Sequence, residues 1–253
     1  MTLLLAWLNR EDNPTGLHLA SDSLLSAGKE SWQYAPKITR VHTLHEYIGY
    51  CGSSLPGMAC ILQSNAVLAA SNVLSQGGSA KSPTLDARAK ALVLLLDDII
   101  PTFPPSWLAS GATLLYCGFD VRKAKFRLFE ISLALSGVSI EERELGQQTV
   151  LCYGSGQAKA RSILATLKLK NALKTDDILH VLKAVIEDPK VPSVGGAPQM
   201  VTIGKRRSQM VGFNWEVGGS TKSTLLGIPL RFRSNMGKIR FLDQDLQHAQ
   251  YLR

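Results

Sequence analysis

Thr2-Leu3-Leu4-Leu5-Ala6-Trp7-Leu8-Asn9, Asn13-Pro14-Thr15-Gly16 and Leu17-His18-Leu19-Ala20-Ser21-Asp22 open the chain as an apolar run, a set of turn formers and a second apolar run. Two apolar runs on either side of an Asn-Pro-Thr-Gly cluster predict two strands of an antiparallel hairpin. The same reading extends outward. After a loop rich in Ser and Gly, Lys37 to His42 and Tyr47 to Cys51 predict two further strands. Gly52-Ser53-Ser54 leads into a helix over Pro56 to Ser75, with proline at an early helical position and Gly77 just past the end. Ser82-Pro83 opens a second helix that runs through Ala91 to Ile100 and stops at Pro101.

The second half repeats this order of elements without repeating the residues. Thr113 to Phe119 and Phe126 to Leu133 predict a hairpin, and Val138 to Glu144 and Thr149 to Tyr153 predict two shorter strands. Gly154-Ser155-Gly156 starts a helix to about Leu169, and Thr175-Asp176-Asp177 caps another that runs to Glu187, with acidic residues where the helix dipole favours them. Strands follow at Gln199 to Ile203 and Gln209 to Phe213. Strands and helix pairs in this alternation imply an α+β fold, a four-layer αββα sandwich of two antiparallel sheets flanked by helices. It would be one domain over residues 1 to 253, with residues 214 to 253 as a C-terminal extension that supplies extra strands or an inter-subunit arm.

Composition narrows the class. Hydrophobic residues make up 45% of the 253 and charged residues 19%, which is the balance of a globular protein and excludes a disordered chain, collagen and coiled coil. The run from Ala91 to Leu96 meets Asp97 and Asp98 long before it could span a bilayer, so no membrane is expected. Met1 to Leu8 lacks the basic start of a signal peptide and runs into Arg10-Glu11-Asp12, which places the protein in the cytoplasm. There Cys51, Cys60, Cys117 and Cys152, all in apolar stretches, are expected to be reduced core residues.

Of the net charge of +8, +7 sits in the second half, where residues 127 to 253 carry 18 basic and 11 acidic side chains. Nucleic acid is nevertheless an unfavoured partner. No aromatic residues are interleaved with the charges to stack on bases, and the densest basic run is Lys205-Arg206-Arg207.

Three motifs lead nowhere. Gly218-Gly219-Ser220-Thr221-Lys222-Ser223 has threonine where a phosphate loop needs glycine before its lysine. His42 and His45 have the spacing of metal ligands but flank a predicted strand turn, with no third ligand in view. Gly154-Ser155-Gly156 falls short of the G-x-S-x-G elbow and serves equally as a helix cap. No cofactor and no metal are called for.

A constellation remains. Thr2 begins the first strand, Asp22 ends the second within Leu19-Ala20-Ser21-Asp22-Ser23, and Lys37-Ile38 begins the third. Gly52 follows the fourth strand in Tyr50-Cys51-Gly52-Ser53, and Ser155 precedes a helix in Tyr153-Gly154-Ser155-Gly156. In this order and spacing, over roughly residues 2 to 213, the sequence resembles the β-type subunits of proteasomes and their bacterial proteasome-like relatives, which are N-terminal nucleophile hydrolases. Ser193-Val194-Gly195-Gly196 is a looser match.

The chemistry explains why such residue types are needed. Removal of Met1 would leave a free α-amine and a hydroxyl on Thr2, and an amine whose pKa is ordinarily about 7.7 to 8.0 can act as the base that activates the hydroxyl. Lys37 beside Thr2 would disfavour protonation of the amine and favour developing charge on Oγ1, and Asp22 would hold that lysine charged and oriented. The amide of Gly52 would donate to the tetrahedral oxyanion. The resemblance further implies that Ser155 and Ser193, with a nearby acid, support the Thr2 amine, and that Tyr50 and Ala35 line the substrate pocket.

Two departures stand out. The acid that the family often has three residues before the last serine is here Lys190, so the nearest acid is Asp188. The interval from Asp22 to Lys37 is also one residue short. The resemblance implies a self-compartmentalised threonine-type endopeptidase, assembled as a homo-oligomeric ring, that acts on peptides or unfolded protein; any unfoldase partner is unknown. A catalytically inactive structural subunit, or an amidase on the same fold, is the alternative.

Overall fold

The computed structural model describes residues 2–9, 15–27, 30–41, 45–70, 83–146, 149–168, 173–231 and 239–247. It is a mixed α/β structure with 29% helix and 40% strand in several sheets built mainly of antiparallel pairs. The chain forms two compact units. The first comprises Met1–Ile38, Gln147–Thr202 and Ser208–Arg253, and the second Thr39–Gly146 with Ile203–Arg207.

The first unit is built on the opening hairpin. β1 (Leu4–Leu8) pairs antiparallel with β2 (Gly16–Ser21), Leu4 opposite Ser21 and Leu8 opposite Leu17. Two short strands that the sequence reads as loop, β3 (Leu25–Ala27) and β4 (Glu30–Trp32), pair with each other. β5 (Ile38–Arg40), β6 (Glu46–Gly52), β7 (Ala112–Asp120), β8 (Lys125–Ala134) and β9 (Gly137–Arg143) follow in the second unit's sheet. The first unit resumes with β10 (Val150–Tyr153), which lies antiparallel to β1 with Leu4 opposite Tyr153. β11 (Gln199–Gly204), β12 (Ser208–Val217), β13 (Ser220–Leu225), β14 (Ile228–Pro229) and β15 (Arg240–Leu242) complete it. Its order is β10-β1-β2-β11-β12-β13-β14, with β15 parallel to β12.

Among its described residues, the C-terminal extension holds the end of β12 with β13, β14 and β15. β12 runs to Val217, four residues past the predicted end, and turns into β13 through Gly218-Gly219, both at positive φ, with Val217 opposite Ser220. The stretch that imitates a phosphate loop is thus a two-residue hairpin turn, whose strand twist requires such φ values.

α1 (Ser54–Ala70), α2 (Leu85–Ile99) and the single turn α3 (Pro105–Leu108) belong to the second unit, while α4 (Gln157–Lys168) and α5 (Thr175–Ile186) belong to the first. α2 begins two residues later than expected. Thr84, rather than Ser82, caps it by accepting from the Ala87 amide at 3.2 Å. The remainder of the expected first helix, residues 71 to 75, lies outside the described residues. Among the described residues no helix is long and apolar enough to cross a membrane.

Each unit has its own core. In the first, Leu3, Leu5 and Trp7 meet Ile178, Leu179, Val181, Leu182 and Val185 of α5, a helical stripe of 3- and 4-residue spacing. Each fully buried aliphatic side chain there is worth roughly 1.5–3 kcal/mol. In the second, Ile48, Tyr50, Leu114, Tyr116, Phe129 and Ile131 meet Leu85, Ala89, Leu92 and Leu96 of α2. Both sheets also bury their other faces, for example at Leu4, Ala6 and Leu19 and at Tyr47, Leu115 and Cys117.

The second core contains charge. Arg88 donates from Nε to Glu46 Oε2 at 3.0 Å and pairs again with Oε1, and the Tyr116 hydroxyl donates to the same carboxylate. Burial raises the Glu46 carboxyl above its ordinary value against the opposing pull of Arg88. Burial also pushes the Cys60 thiol up to about 12 and the Cys117 thiol well above its usual range. All four cysteines are buried.

Candidate active site

The hairpin register decides what stands beside Thr2. Because Leu4 faces Ser21 on one side and Tyr153 on the other, the residues just outside the ladders, Thr2, Asp22 and Ser155, converge at one end of β1. The Thr2 nitrogen donates to Ser155 Oγ at 3.1 Å, and the Gly156 amide donates to the Thr2 carbonyl at 3.3 Å. Ser155 Oγ lies 2.8 Å from Ser193 Oγ, so the two hydroxyls share a proton donor between them. Thr2 is 1% exposed in the full-length chain.

Asp22 is the hub. Its Oδ1 accepts from Lys37 Nζ and from the amide of Leu3, both at 2.9 Å, while Oδ2 accepts from the amides of Leu24 at 3.2 Å and Gly195 at 3.1 Å. Four donors fill the carboxylate's lone-pair directions. Lys37 and Asp22 are both buried, at 1% and 0% exposure, and pair with each other. Through Oδ1 the ammonium of Lys37 is tied to the peptide that follows Thr2. The structure thus brings Thr2, Asp22, Lys37, Ser155 and Ser193 together in the first unit.

Other expected residues stand elsewhere. Asp188 follows α5, where its carboxylate binds Lys159 Nζ at 2.7 Å and the Lys190 amide at 2.9 Å; Lys159 holds its carboxyl below the ordinary carboxylate value. The acid is thus engaged by Lys159 rather than by a hydroxyl of the serine pair. Ala35 and Tyr50, expected at the substrate, are buried at 0% and 1%, Tyr50 in the second unit's core and Ala35 with its amide on the Ser23 carbonyl at 3.0 Å. Gly52 closes β6 in the second unit at φ +93°, where a Cβ would stand 2.7 Å from the Gly111 carbonyl oxygen. That close approach requires glycine there whatever else its amide does.

Two residues of the first unit escape a reading of the sequence. Gln199, fully buried, makes three hydrogen bonds to two segments, the backbone at Asp22 and that at Ala35 and Lys37; a lone amide at the head of the apolar run Met200-Val201 was the available signal. His18 stacks on Trp7 with ring centroids 5.0 Å apart and has Nδ1 3.0 Å from Thr202 Oγ1. Burial lowers its pKa to about 4, so the ring is neutral at physiological pH.

Among the described residues no three His, Cys, Asp or Glu side chains gather as metal ligands, and of the His42 and His45 pair the first lies outside those residues. No protein-family model matches the sequence, and no curated protein matches it.

Proposed function

We propose that this chain is a proteasome-like N-terminal threonine hydrolase that cleaves peptide bonds once Met1 is removed. The observation that carries the reading is the shared Asp22 oxygen, which fixes the Lys37 ammonium against the peptide following Thr2 while Ser155 accepts from the Thr2 nitrogen. In the mature chain that nitrogen is an amine. It takes the proton of Oγ1 as Oγ1 attacks the substrate carbonyl, and Lys37 stabilises the charge that develops. The tetrahedral intermediate carries an oxyanion. Its collapse breaks the peptide C–N bond, the amine returns its proton to the leaving nitrogen, and water, activated by the same amine, hydrolyses the acyl ester on Thr2. The reaction needs no cofactor.

The finer architecture belongs to this reading. Each sheet carries helices on one face and buried apolar residues on the other, which supports a four-layer αββα sandwich. Assembly into a homo-oligomeric ring is supported by α1, whose Leu55, Leu62 and Val67 remain exposed at 55%, 67% and 40% on a helix with apolar residues around most of its circumference.

One observation favours a second reading, a catalytically silent subunit: Lys159 engages Asp188, the acid nearest to Ser193 in the sequence. An electrophilic peptide probe with intact-mass and N-terminal analysis separates the two. Chains that begin at Thr2 and gain one adduct on it, with no adduct in Thr2→Ala, are expected. Retention of Met1, or equal labelling of Thr2→Ala, refutes the hydrolase.

A further inference from the structure

Gln199 opens β11 with its side chain fully buried. Its Oε1 accepts from the Lys37 amide at 2.9 Å, and its Nε2 donates to the Asp22 carbonyl at 3.1 Å and the Ala35 carbonyl at 2.7 Å. Of the four hydrogen bonds an amide side chain can make, two are therefore spent on the backbone of Lys37 and Asp22 and a third on that of Ala35, two residues before Lys37. A lysine side chain is long and flexible. Asp22 fixes its tip, and Gln199 fixes its root.

The C-terminal extension stands directly behind. Between β13 and β14 the chain turns at Leu226 and Gly227, both at positive φ, and a Cβ on Gly227 would lie 2.5 Å from Ser23 Cβ and 3.1 Å from Gln199 Nε2. Nothing larger than glycine fits without moving one of them.

We infer that Gln199 is a positioning residue that sets the placement of Lys37 and Asp22 beside Thr2, and that the Leu226-Gly227 turn of the extension backs it. The inference rests on the threonine-hydrolase reading for its effect on turnover. Gln199 touches no reacting atom; it acts through Lys37. If Lys37 draws away from Thr2, its charge no longer disfavours protonation of the amine, and the amine becomes active only at higher pH.

The test compares wild-type protein with Gln199→Met, which keeps length and burial but makes none of the three bonds. Loss of kcat by about 10- to 100-fold with KM within about twofold is expected, together with a shift of the acid limb of the kcat/KM profile to higher pH. A fall in activity that follows only the folded fraction, with the acid limb unmoved, overturns the inference. Should Gln199→Met not fold, Gly227→Ala keeps the amide and presses on it from behind; the same limb shift, smaller, is expected, and an unmoved limb overturns the role.

A second readout does not depend on activity. In protein carrying ε-13C lysine, the Lys37 signal, identified by its loss in Lys37→Arg, should move more in Gln199→Met than any other lysine signal. If it stays in place, the positioning role is wrong even in an active enzyme. If it moves in a protein that hydrolyses nothing, the hydrolase reading falls and the clamp on Lys37 stands.

Discussion

The Lys37–Asp22 pair of the first unit and the Arg88–Glu46 pair of the second are both buried, but their carboxylates find their remaining hydrogen bonds in different places. Asp22 takes three of its four from backbone amides, those of Leu3, Leu24 and Gly195, which belong to three separate segments. Glu46 takes its bonds from side chains, Arg88 of α2 and Tyr116 of β7. A carboxylate bonded to backbone fixes where chain segments pass, with a precision that side-chain rotamers cannot relax. One bonded to side chains docks a helix on a sheet and can be replaced by anything that fills the volume. The first arrangement suits a reaction centre, and the second suits a core.

The largest effect should come from removing each cation in turn. Lys37→Ala and Arg88→Ala both strand a buried carboxylate, and each should lose about 3–5 kcal/mol of stability by urea unfolding. Only Lys37→Ala should also lose probe labelling of Thr2, by about a thousandfold or more in the protein that remains folded. Equal labelling losses in the two variants would erase the distinction.

Protonation separates the units by sign. His18 of the first unit titrates at about 4 when folded and about 6.5 when unfolded, so between those values the unfolded chain binds the extra proton and stability falls as pH falls. The Glu46 carboxyl of the second unit is raised by burial, so just above pH 4.5 the folded chain holds the extra proton and stability falls as pH rises. At roughly 1.4 kcal/mol per tenfold change in proton affinity, His18 should contribute a loss of about 3 kcal/mol from pH 7 to pH 4. Urea unfolding of His18→Phe across that range should show this loss removed; an unchanged slope would contradict the burial of a neutral imidazole.

Replacing both partners sharpens the comparison further. Arg88→Met with Glu46→Gln should stay within about 1–2 kcal/mol of the wild type, since buried pairs exchange well for neutral groups of similar volume. Lys37→Met with Asp22→Asn should lose at least about 2 kcal/mol, because an amide oxygen and nitrogen cannot accept from all three backbone donors. A smaller loss for the Lys37 double variant than for the Arg88 one reverses the argument. The exposed Lys90–Asp86 pair of α2, 3.1 Å apart, is the weakest case: Lys90→Ala should shift stability by less than about 0.5 kcal/mol and leave labelling unchanged.

What the sequence made legible follows from the range of the interactions involved. The β1–β2 hairpin and the helix over 175–186 follow from apolar periodicity and turn or capping residues, which are local signals; the grouping of Thr2, Asp22 and Ser155, which lie up to 153 residues apart, was expected only from the family resemblance. Gln199 was missed because its meaning lies in carbonyls and an amide more than 160 residues away in the chain. β12 runs past the expected end at Phe213 with Asn214 held inside the β12–β13 hairpin, where its side-chain oxygen accepts from the Ser223 hydroxyl at 3.0 Å. β3 and β4 are three residues each in a stretch of Ser, Gly and charge, too short for any alternation to show. Arg88 and Glu46 lie 42 residues apart and meet only when α2 lies on its sheet.

The raised thiols turn the cysteines into gauges of motion. A thiol whose pKa has been driven to about 12 holds almost no thiolate at neutral pH, so Cys60 reacts with an alkylating reagent only in molecules that have transiently opened. Cys51, Cys60 and Cys117 sit in one unit and Cys152 in the other, so the wild-type chain already carries a separate clock in each. Alkylation rates at the two sets, read peptide by peptide against reagent concentration, would time the breathing of each unit without a single engineered label.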